Sequence, residues 1–200
     1  MDAHHKSRKQ DIVAKLSAAI AQIDEQPSFS AERVVEQHKA PVKQRALAIL
    51  NARARSRYEL QQRLIAAEFP PELVELVLDD FAQAGLLDDA AFANEWVRQR
   101  HERRGKSRSV LDQELREKGV ASAIRAAALA QIDDDDERSI AEQLARKKAR
   151  AITGKPVDFA EYQKLLRRIV GVLARRGFPS GVAMSVAKDA LEQRLAELDT

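Results

Sequence analysis

The sequence predicts an all-α fold built from stacked helical repeats, and three observations support this prediction. Apolar residues recur at helical spacing, and only seven glycines and six prolines interrupt them in 200 residues. No segment alternates apolar and polar residues over the length of a strand. One apolar pattern also returns three times, centred on Phe69, Val120 and Phe178, at intervals of 51 and 58 residues.

In each copy of the pattern, aliphatic residues lie nine and five positions before the centre and four and eight positions after it. This spacing predicts two helices joined by a tight corner. A unit of this size cannot bury its apolar face alone, so neighbouring units are expected to stack into an elongated array. We assign repeat 1 to residues 41–104, repeat 2 to residues 105–153 and repeat 3 to residues 154–200.

Residues 1–40 are predicted to form an N-terminal extension that is partly disordered and contains one short amphipathic helix. The segment Gln26–Ser30 interrupts this helix, and we expect a mobile linker from there to Pro41, because few apolar residues follow. The apolar stripe of the short helix comprises Ile12, Leu16, Ile20 and Ile23.

Helix boundaries in repeat 1 carry clear local signals. The segment Ser56–Glu59 reads as a capping box that starts a helix, and Pro71 suits the first turn of the next helix. Gly85 can supply the left-handed residue after that helix, and Asp88 or Asp89 can cap a fourth one.

Repeats 2 and 3 follow the same plan. An acidic run, Asp133–Glu137, suits the positive N-terminal end of a helix, and the basic residues near Gly154 suit a C-terminal end. The segment Asp158–Glu161 reads as a second capping box. The predicted caps are Ser107, Asp158 and Ser180, and the predicted corner glycines are Gly119 and Gly177.

Composition narrows the class of protein. Apolar residues make up 44% of the chain, which suffices for a core, whereas aromatic residues make up only 4%. The absence of cysteine excludes disulfides and thiolate metal sites and fits a reducing compartment. No apolar run approaches the roughly 18 residues needed to span a bilayer, and no secretory signal precedes the first helix. We therefore expect a cytoplasmic protein with no membrane contact.

Charge alternates in blocks along the chain. Residues 58–95 contain one Lys or Arg against nine Asp or Glu, whereas residues 96–110 contain six against one. Residues 111–145 contain four against nine, and residues 146–178 contain ten against two. A protein that only coats phosphate would more simply be basic throughout, so the pattern favours a partner of mixed charge or a basic seam on one face.

The basic clusters are the candidate contacts with such a partner. Each cluster taken singly also fits a solvated helix face that complements the helix dipole, and both readings stay open. The candidates are Arg98, Arg100, Arg103, Arg104, Lys106, Arg108, Arg146, Lys147, Lys148, Arg150, Arg167, Arg168, Arg175 and Arg176.

No catalytic or cofactor site is predicted. The four histidines are scattered, no Gly-rich phosphate loop is present, and no ligand pattern for a metal surrounds them. The run Asp133–Asp136 lacks the alternating ligands and central glycine of a calcium loop, so it reads as a helix N-terminus. Trp96 and Phe92 lie four residues apart on an apolar face, which favours core packing over base stacking.

Four stretches together resemble the RecX family, whose members regulate the RecA recombinase. They are Ser56–Leu60, continuing through Leu64 to Phe69-Pro70, then Gly85–Ala93, Leu115–Val120 and Leu173–Pro179.

Glu68 departs from the family pattern, which commonly has glycine before the aromatic residue. If this corner is left-handed, a side chain there costs about 1 kcal/mol.

The resemblance implies tandem three-helix repeats that form a curved, elongated molecule. It also implies binding to the groove of the recombinase–DNA filament and inhibition of filament growth, ATP hydrolysis and strand exchange, within DNA repair, recombination and the SOS response. The family offers no catalytic residues to transfer, so we expect a non-enzymatic regulator without cofactors. We further expect a monomer with weak direct DNA binding.

Two other functions fit the same residues. A stand-alone nucleic-acid-binding helical module would use the basic clusters for phosphates, and its affinity would fall steeply with salt. A non-catalytic protein adaptor would use the acidic blocks as well. Inhibition of the DNA-dependent ATPase of a recombinase filament at substoichiometric protein would favour the regulator, inhibition only when the DNA is saturated would favour the nucleic-acid-binding module, and no effect at any dose would leave the adaptor.

Overall fold

The structure is a computed structural model that describes residues 14, 15, 18 and 29–199. Over these residues the protein is all-helical, which confirms the predicted fold class, and no helix there is both long and apolar enough to cross a membrane. The chain divides into two compact units, Met1–Asp88 and Asp89–Thr200. Within the described residues the helices are α1 Phe29–Ala52, α2 Arg57–Ala66, α3 Pro71–Gln83, α4 Asp89–Arg104, α5 Arg108–Glu117, α6 Ser122–Leu129, α7 Asp134–Ala149, α8 Phe159–Ala174 and α9 Ser180–Glu197.

The first unit is a set of three helices, α1 to α3, around one core. The predicted capping box starts α2: the Ser56 hydroxyl accepts a hydrogen bond from the Glu59 amide at 3.1 Å, and the Glu59 carboxylate accepts one from the Ser56 amide at 3.4 Å. Pro71 opens α3, and Gly85 has a φ of +69°, both as predicted. The fully buried core side chains are Val42, Ala46, Leu60, Leu64, Val74, Val77 and Leu78.

The predicted linker before Pro41 is wrong for residues 29–40, which form the first half of α1. Pro41 lies inside this helix, although an interior proline lacks the amide of the helical ladder and costs roughly 3 kcal/mol. Contacts with α3 offset this cost, because Val42 is fully buried and Lys39 Nζ lies 2.9 Å from Asp80 Oδ2. The predicted stripe of Ile12, Leu16, Ile20 and Ile23 lies outside the described residues.

The second unit contains two further sets of three helices. Helices α4, α5 and α6 pack on one another, as do α7, α8 and α9. The predicted boundaries place α4 in repeat 1 and α7 in repeat 2, so they fall one helix later than these groups. The reason is visible for α4, whose apolar face, with Phe92, Ala93 and Val97, lies in one core with Leu111 and Leu115.

All three predicted corners have the same backbone geometry. Glu68, Gly119 and Gly177 have φ values of +66°, +71° and +82°. In each corner, the amide of the next residue donates a hydrogen bond of 3.1 to 3.3 Å to the carbonyl five positions before it. This bond closes the end of the preceding helix, and it explains why the apolar pattern places an aliphatic residue at that spacing.

Two of the three predicted side-chain caps in the second unit, Ser107 and Asp158, are confirmed, and Asp133 caps the predicted acidic helix start in the same way. Ser107, Asp133 and Asp158 each accept a hydrogen bond of 2.7 to 3.4 Å from the backbone amide three positions later. Ser180 is instead the first residue of α9, and Pro179 occupies the N-cap position without a side-chain bond.

Candidate partner-binding surface

The basic candidates of α4 and α8 meet at one corner of the second unit. The Ser107 amide donates to the Arg176 carbonyl at 3.0 Å, and a Cβ on Gly177 would collide with Val110. On the other side of this contact, Arg176 Nη1 lies 3.3 Å from the position that a Cβ on Gly105 would take. We name the basic residues that flank this contact in the sequence, Arg103, Arg104, Arg175 and Arg176, the corner cluster.

Several other candidates hold carboxylates of their own unit. Arg108 Nε donates to Glu137 Oε2 at 2.9 Å, and Arg108 Nη2 donates to Asp134. The hydrogen bond to Glu137 raises the pKa of this guanidinium above its ordinary value. Part of the acidic run at the start of α7 therefore neutralises Arg108. Similar pairs join Arg98 to Glu95 at 2.8 Å and Arg146 to Glu142 at 3.0 Å.

Trp96 is surrounded by charged side chains. Its indole Nε1 donates to Glu114 Oε2 at 2.9 Å, and the Arg100 guanidinium lies 3.6 Å from its ring centroid. Lys118 Nζ lies 4.2 Å from the same centroid, and Lys106 donates to Glu114. Trp96 is half-buried and packs against its core, as predicted, while Arg100 and Lys106 are held within the unit.

Eight candidates form neither an ion pair nor a side-chain hydrogen bond in the part of the chain that the structure describes, and all but Arg176 are exposed. Arg167 is close to this state, because it donates only to the Gln163 carbonyl of its own helix at 3.3 Å. The eight are Arg103, Arg104, Lys147, Lys148, Arg150, Arg168, Arg175 and Arg176.

Two of these cations, Lys148 and Arg168, stand on either side of a shallow notch between the end of α7 and the middle of α8. The notch has a volume of about 50 Å³ and an apolar floor that includes Ile152 and Leu165. A ligand that combines an apolar part with a negatively charged group fits this notch. Arg150 lines a second notch of similar size against α9.

The arrangement suits binding rather than chemistry. Unpaired guanidinium and ammonium groups attract carboxylates and phosphates and give charge-assisted hydrogen bonds to them. Over residues 14, 15, 18 and 29–199, no three His, Asp or Glu side chains come together as metal ligands would.

Sequence reasoning missed two features. His101 is buried, and its Nδ1 lies 2.9 Å from the Lys106 carbonyl at the end of α4. Phe159 is expected from the apolar pattern to pack in the core, yet it is largely exposed. Its place in the first turn of α8, directly after a loop, is the signal that could have indicated this exposure.

The chain is similar to proteins of one family. The family model for the first three-helix domain of RecX matches residues 43–81, and the model for the second three-helix domain matches residues 88–129. The regulatory protein RecX of Corynebacterium efficiens is 54% identical over 167 residues, which cover 84% of this chain and 80% of that protein. The regulatory protein RecX of Streptomyces coelicolor is 41% identical over 147 residues, which cover 74% of this chain and 76% of that protein.

Solved structures show the same fold. A crystal structure of regulatory protein RecX superposes with a TM-score of 0.64 and 24% identity, covering 86% of this chain and 85% of that one. A crystal structure of RecX from Lactobacillus salivarius gives a TM-score of 0.63 and 21% identity, covering 82% and 98%.

Proposed function

This chain belongs to the RecX family of regulatory proteins, and we propose that it binds the RecA recombinase or its DNA filament and inhibits filament growth, ATP hydrolysis and strand exchange. The observation that carries the proposal is the set of eight cations in the second unit that form neither an ion pair nor a side-chain hydrogen bond with any described residue. Such groups bind the carboxylates of a protein surface or the phosphates of DNA. Membership of the family supports the recombinase as the partner.

Regulation by binding alone suffices for this function. A filament is in equilibrium with its subunits, so a ligand that contacts neighbouring subunits shifts the equilibrium by its different affinity for each state. Several helical repeats on one chain make the second contact intramolecular and raise the overall affinity. ATP turnover then falls although no side chain of this protein enters the ATP site.

We place this activity in the cytoplasm, in the control of DNA repair and the SOS response, and we propose a monomer that acts without catalysis. The name "regulatory protein" that its relatives carry supports a non-enzymatic role. The stacking of the repeats into a curved array stays a prediction.

The test removes cations of the corner cluster. Replacing Arg103 and Arg104 with Ala is expected to raise the concentration for half-inhibition of the DNA-dependent RecA ATPase about tenfold, or about 1.4 kcal/mol. The matched control replaces Arg116 and Arg138 with Ala, since both are exposed but pair with Asp112 at 2.9 Å and Glu142 at 3.2 Å. Equal effects of the two double variants would remove the corner cluster from the site.

Binding to nucleic acid alone is the second candidate, because the same unpaired cations suit phosphates. In that case the logarithm of the affinity for single-stranded DNA falls by about 0.7 for each phosphate contact per tenfold rise in salt. Inhibition would then appear only at protein concentrations that saturate the DNA. The absence of any effect on the ATPase at any dose would favour an adaptor for another protein.

A further inference from the structure

Two apolar side chains at the start of α8 are unusually exposed. Val157 is 89% exposed and Phe159 is 74% exposed, whereas the other exposed large apolar side chains of the described residues lie between 37% and 53%. Two hydrogen bonds fix their backbone: the Asp158 carboxylate accepts from the Glu161 amide at 2.7 Å, and the Glu161 carboxylate accepts from the Val157 amide at 2.9 Å. The predicted capping box would have placed the second bond on the Asp158 amide. The start of α8 is therefore ordered, and it keeps both side chains exposed to solvent.

Phe159 belongs to the apolar face of α8. Leu166 and Leu173 follow it at seven-residue spacing and are only 5% and 0% exposed. The neighbouring helices cover the later turns of this face and leave the first turn open. Because exposed apolar surface is unfavourable in water, an uncovered end of a core face indicates contact with another molecule.

A row of partly buried side chains leads along α8 from Phe159 to two cations. Phe159 stacks on Tyr162, with ring centroids 6.4 Å apart and an interplanar angle of 13°. Leu165 then forms part of the notch floor, and Arg168 and Lys148 flank that notch. Residues three apart on a helix are neighbours on its surface, so these side chains form one row, which winds about halfway round α8 between Phe159 and Arg168. We name it the α8 track: Val157, Phe159, Tyr162, Leu165, Arg168 and Lys148.

The charges of the track differ between its two ends. Lys148 and Arg168 have no carboxylate within 4.0 Å among the residues described. Near Phe159 the charges are already balanced, because Lys155 pairs with Asp199 and two carboxylates lie beside the helix start. Nucleic acid would place further phosphates against those carboxylates, whereas a protein segment can present apolar groups there.

We propose that the α8 track binds a segment of the partner protein in which apolar side chains are followed by carboxylates. The apolar side chains cover Val157 and Phe159 and enter the notch, and the carboxylates pair with Lys148 and Arg168. This inference rests on the proposed function, because it takes the recombinase as the partner, and it names the chemistry by which that partner is recognised.

The test uses the full chain, labelled with a fluorophore and titrated with RecA filament formed on single-stranded DNA. Phe159→Ser is expected to weaken filament binding at least tenfold, and Lys148→Glu with Arg168→Glu is expected to do the same. The controls are Met184→Ser, at another exposed apolar position, and Lys188→Glu, at another exposed lysine. Both controls are expected to bind as the unchanged protein does.

Two parallel measurements identify the occupant. Single-stranded DNA alone is expected to bind Phe159→Ser and the unchanged protein equally, and a loss of DNA affinity would overturn the protein-segment proposal in favour of base stacking. Sedimentation of the protein without partner is expected to be the same for both. If Phe159→Ser dissociates an oligomer, the track is covered by a second copy and the proposal falls.

The inference and the proposed function fail in different ways. If the unchanged protein inhibits the ATPase and the track variants inhibit as their controls do, the track is wrong and the proposed function stands. If the unchanged protein binds the filament no better than bare DNA and leaves the ATPase unaffected, both are wrong.

Discussion

The two compact units use their basic residues in different ways. In the first unit, Lys39 and Lys43 on α1 each place Nζ 2.9 Å from Asp80 Oδ2 on α3. Arg57, at the start of α2, places Nη2 2.7 Å from Glu75, which lies on α3 as Asp80 does. These three cations therefore join the helices of the first unit to one another.

Eight candidate cations of the second unit form neither an ion pair nor a side-chain hydrogen bond among the residues that the structure describes. The number of basic residues does not explain the difference, because the first unit has them as well. The position of the carboxylates does: α3 carries Glu75, Asp79 and Asp80 toward its neighbours, whereas no carboxylate of the described residues lies within 4.0 Å of these eight cations. A cation indicates a binding surface only when the fold leaves it without a carboxylate.

The largest effect is expected where a corner of the second unit is tightly packed. Gly177 and Gly85 both have left-handed φ values, of +82° and +69°, but only at Gly177 would a Cβ collide with other side chains. Gly85→Ala is expected to cost about 1 kcal/mol of unfolding free energy from backbone strain alone. Gly177→Ala adds overpacking against Val110 and Ser107 and is expected to cost about 3 kcal/mol.

Urea unfolding monitored by amide exchange checks this prediction, because exchange assigns the loss to one unit or the other. Similar losses for both variants would mean that the contact of Gly177 with Val110 is not close in solution.

Local sequence patterns predicted most of the fold. The corners could be predicted from short-range rules, because each one is closed by a hydrogen bond between residues five positions apart. Three of the motifs that resemble the RecX family include these corners. The family assignment is confirmed by the two family models and by relatives that are 54% and 41% identical. The first half of α1 was not predictable in this way, because its burial depends on Val35 and on an ion pair between Lys39 and Asp80, 41 residues apart.

The candidate site was predictable only as a list of basic residues. The pair Arg146 and Glu142 could be read from its spacing of four, but Arg108 and Glu137 are 29 residues apart and meet only in the folded unit. The exposure of Phe159 depends on where neighbouring helices end, and an apolar period along α8 does not contain that information.

A smaller effect is expected from removing the central carboxylate of the first unit. Asp80→Asn leaves Lys39 and Lys43 without their shared counter-charge and is expected to cost about 1 kcal/mol of unfolding free energy, since the Asp80 side chain is 33% exposed. Arg103→Ala with Arg104→Ala, in the second unit, is expected to change the same quantity by less than about 0.5 kcal/mol. Comparable losses of unfolding free energy for the two variants would show that the cations of the two units contribute equally to stability.

The pH dependence sharpens the same comparison. Partial burial alone raises the pKa of the Asp80 carboxyl, but the hydrogen bonds and charges of Lys39 and Lys43 outweigh it and hold that pKa below its ordinary value. A depressed pKa means that the stabilisation is present above the pKa of the unfolded chain, about 3.9, and is lost as the pH falls through the lower folded value. The difference in stability between the unchanged protein and Asp80→Asn should therefore be constant near neutral pH and shrink below about pH 4. A constant difference down to pH 2 would contradict the assignment.

The smallest effect is expected at Glu68, where the first unit has a side chain at a corner that the second unit builds twice with glycine. At a φ of +66°, glycine avoids the strain between Cβ and the backbone, so Glu68→Gly is expected to be about 1 kcal/mol more stable than Glu68→Ala, which removes the same carboxylate. Ala67→Gly is the control, because Ala67 has a φ of −86° and glycine there only adds freedom to the unfolded chain, at a cost of about 0.5 to 1 kcal/mol. Opposite signs at two adjacent positions in thermal unfolding would establish the left-handed corner in solution. The same sign at both would mean that Glu68 does not carry the strain that its backbone angle indicates.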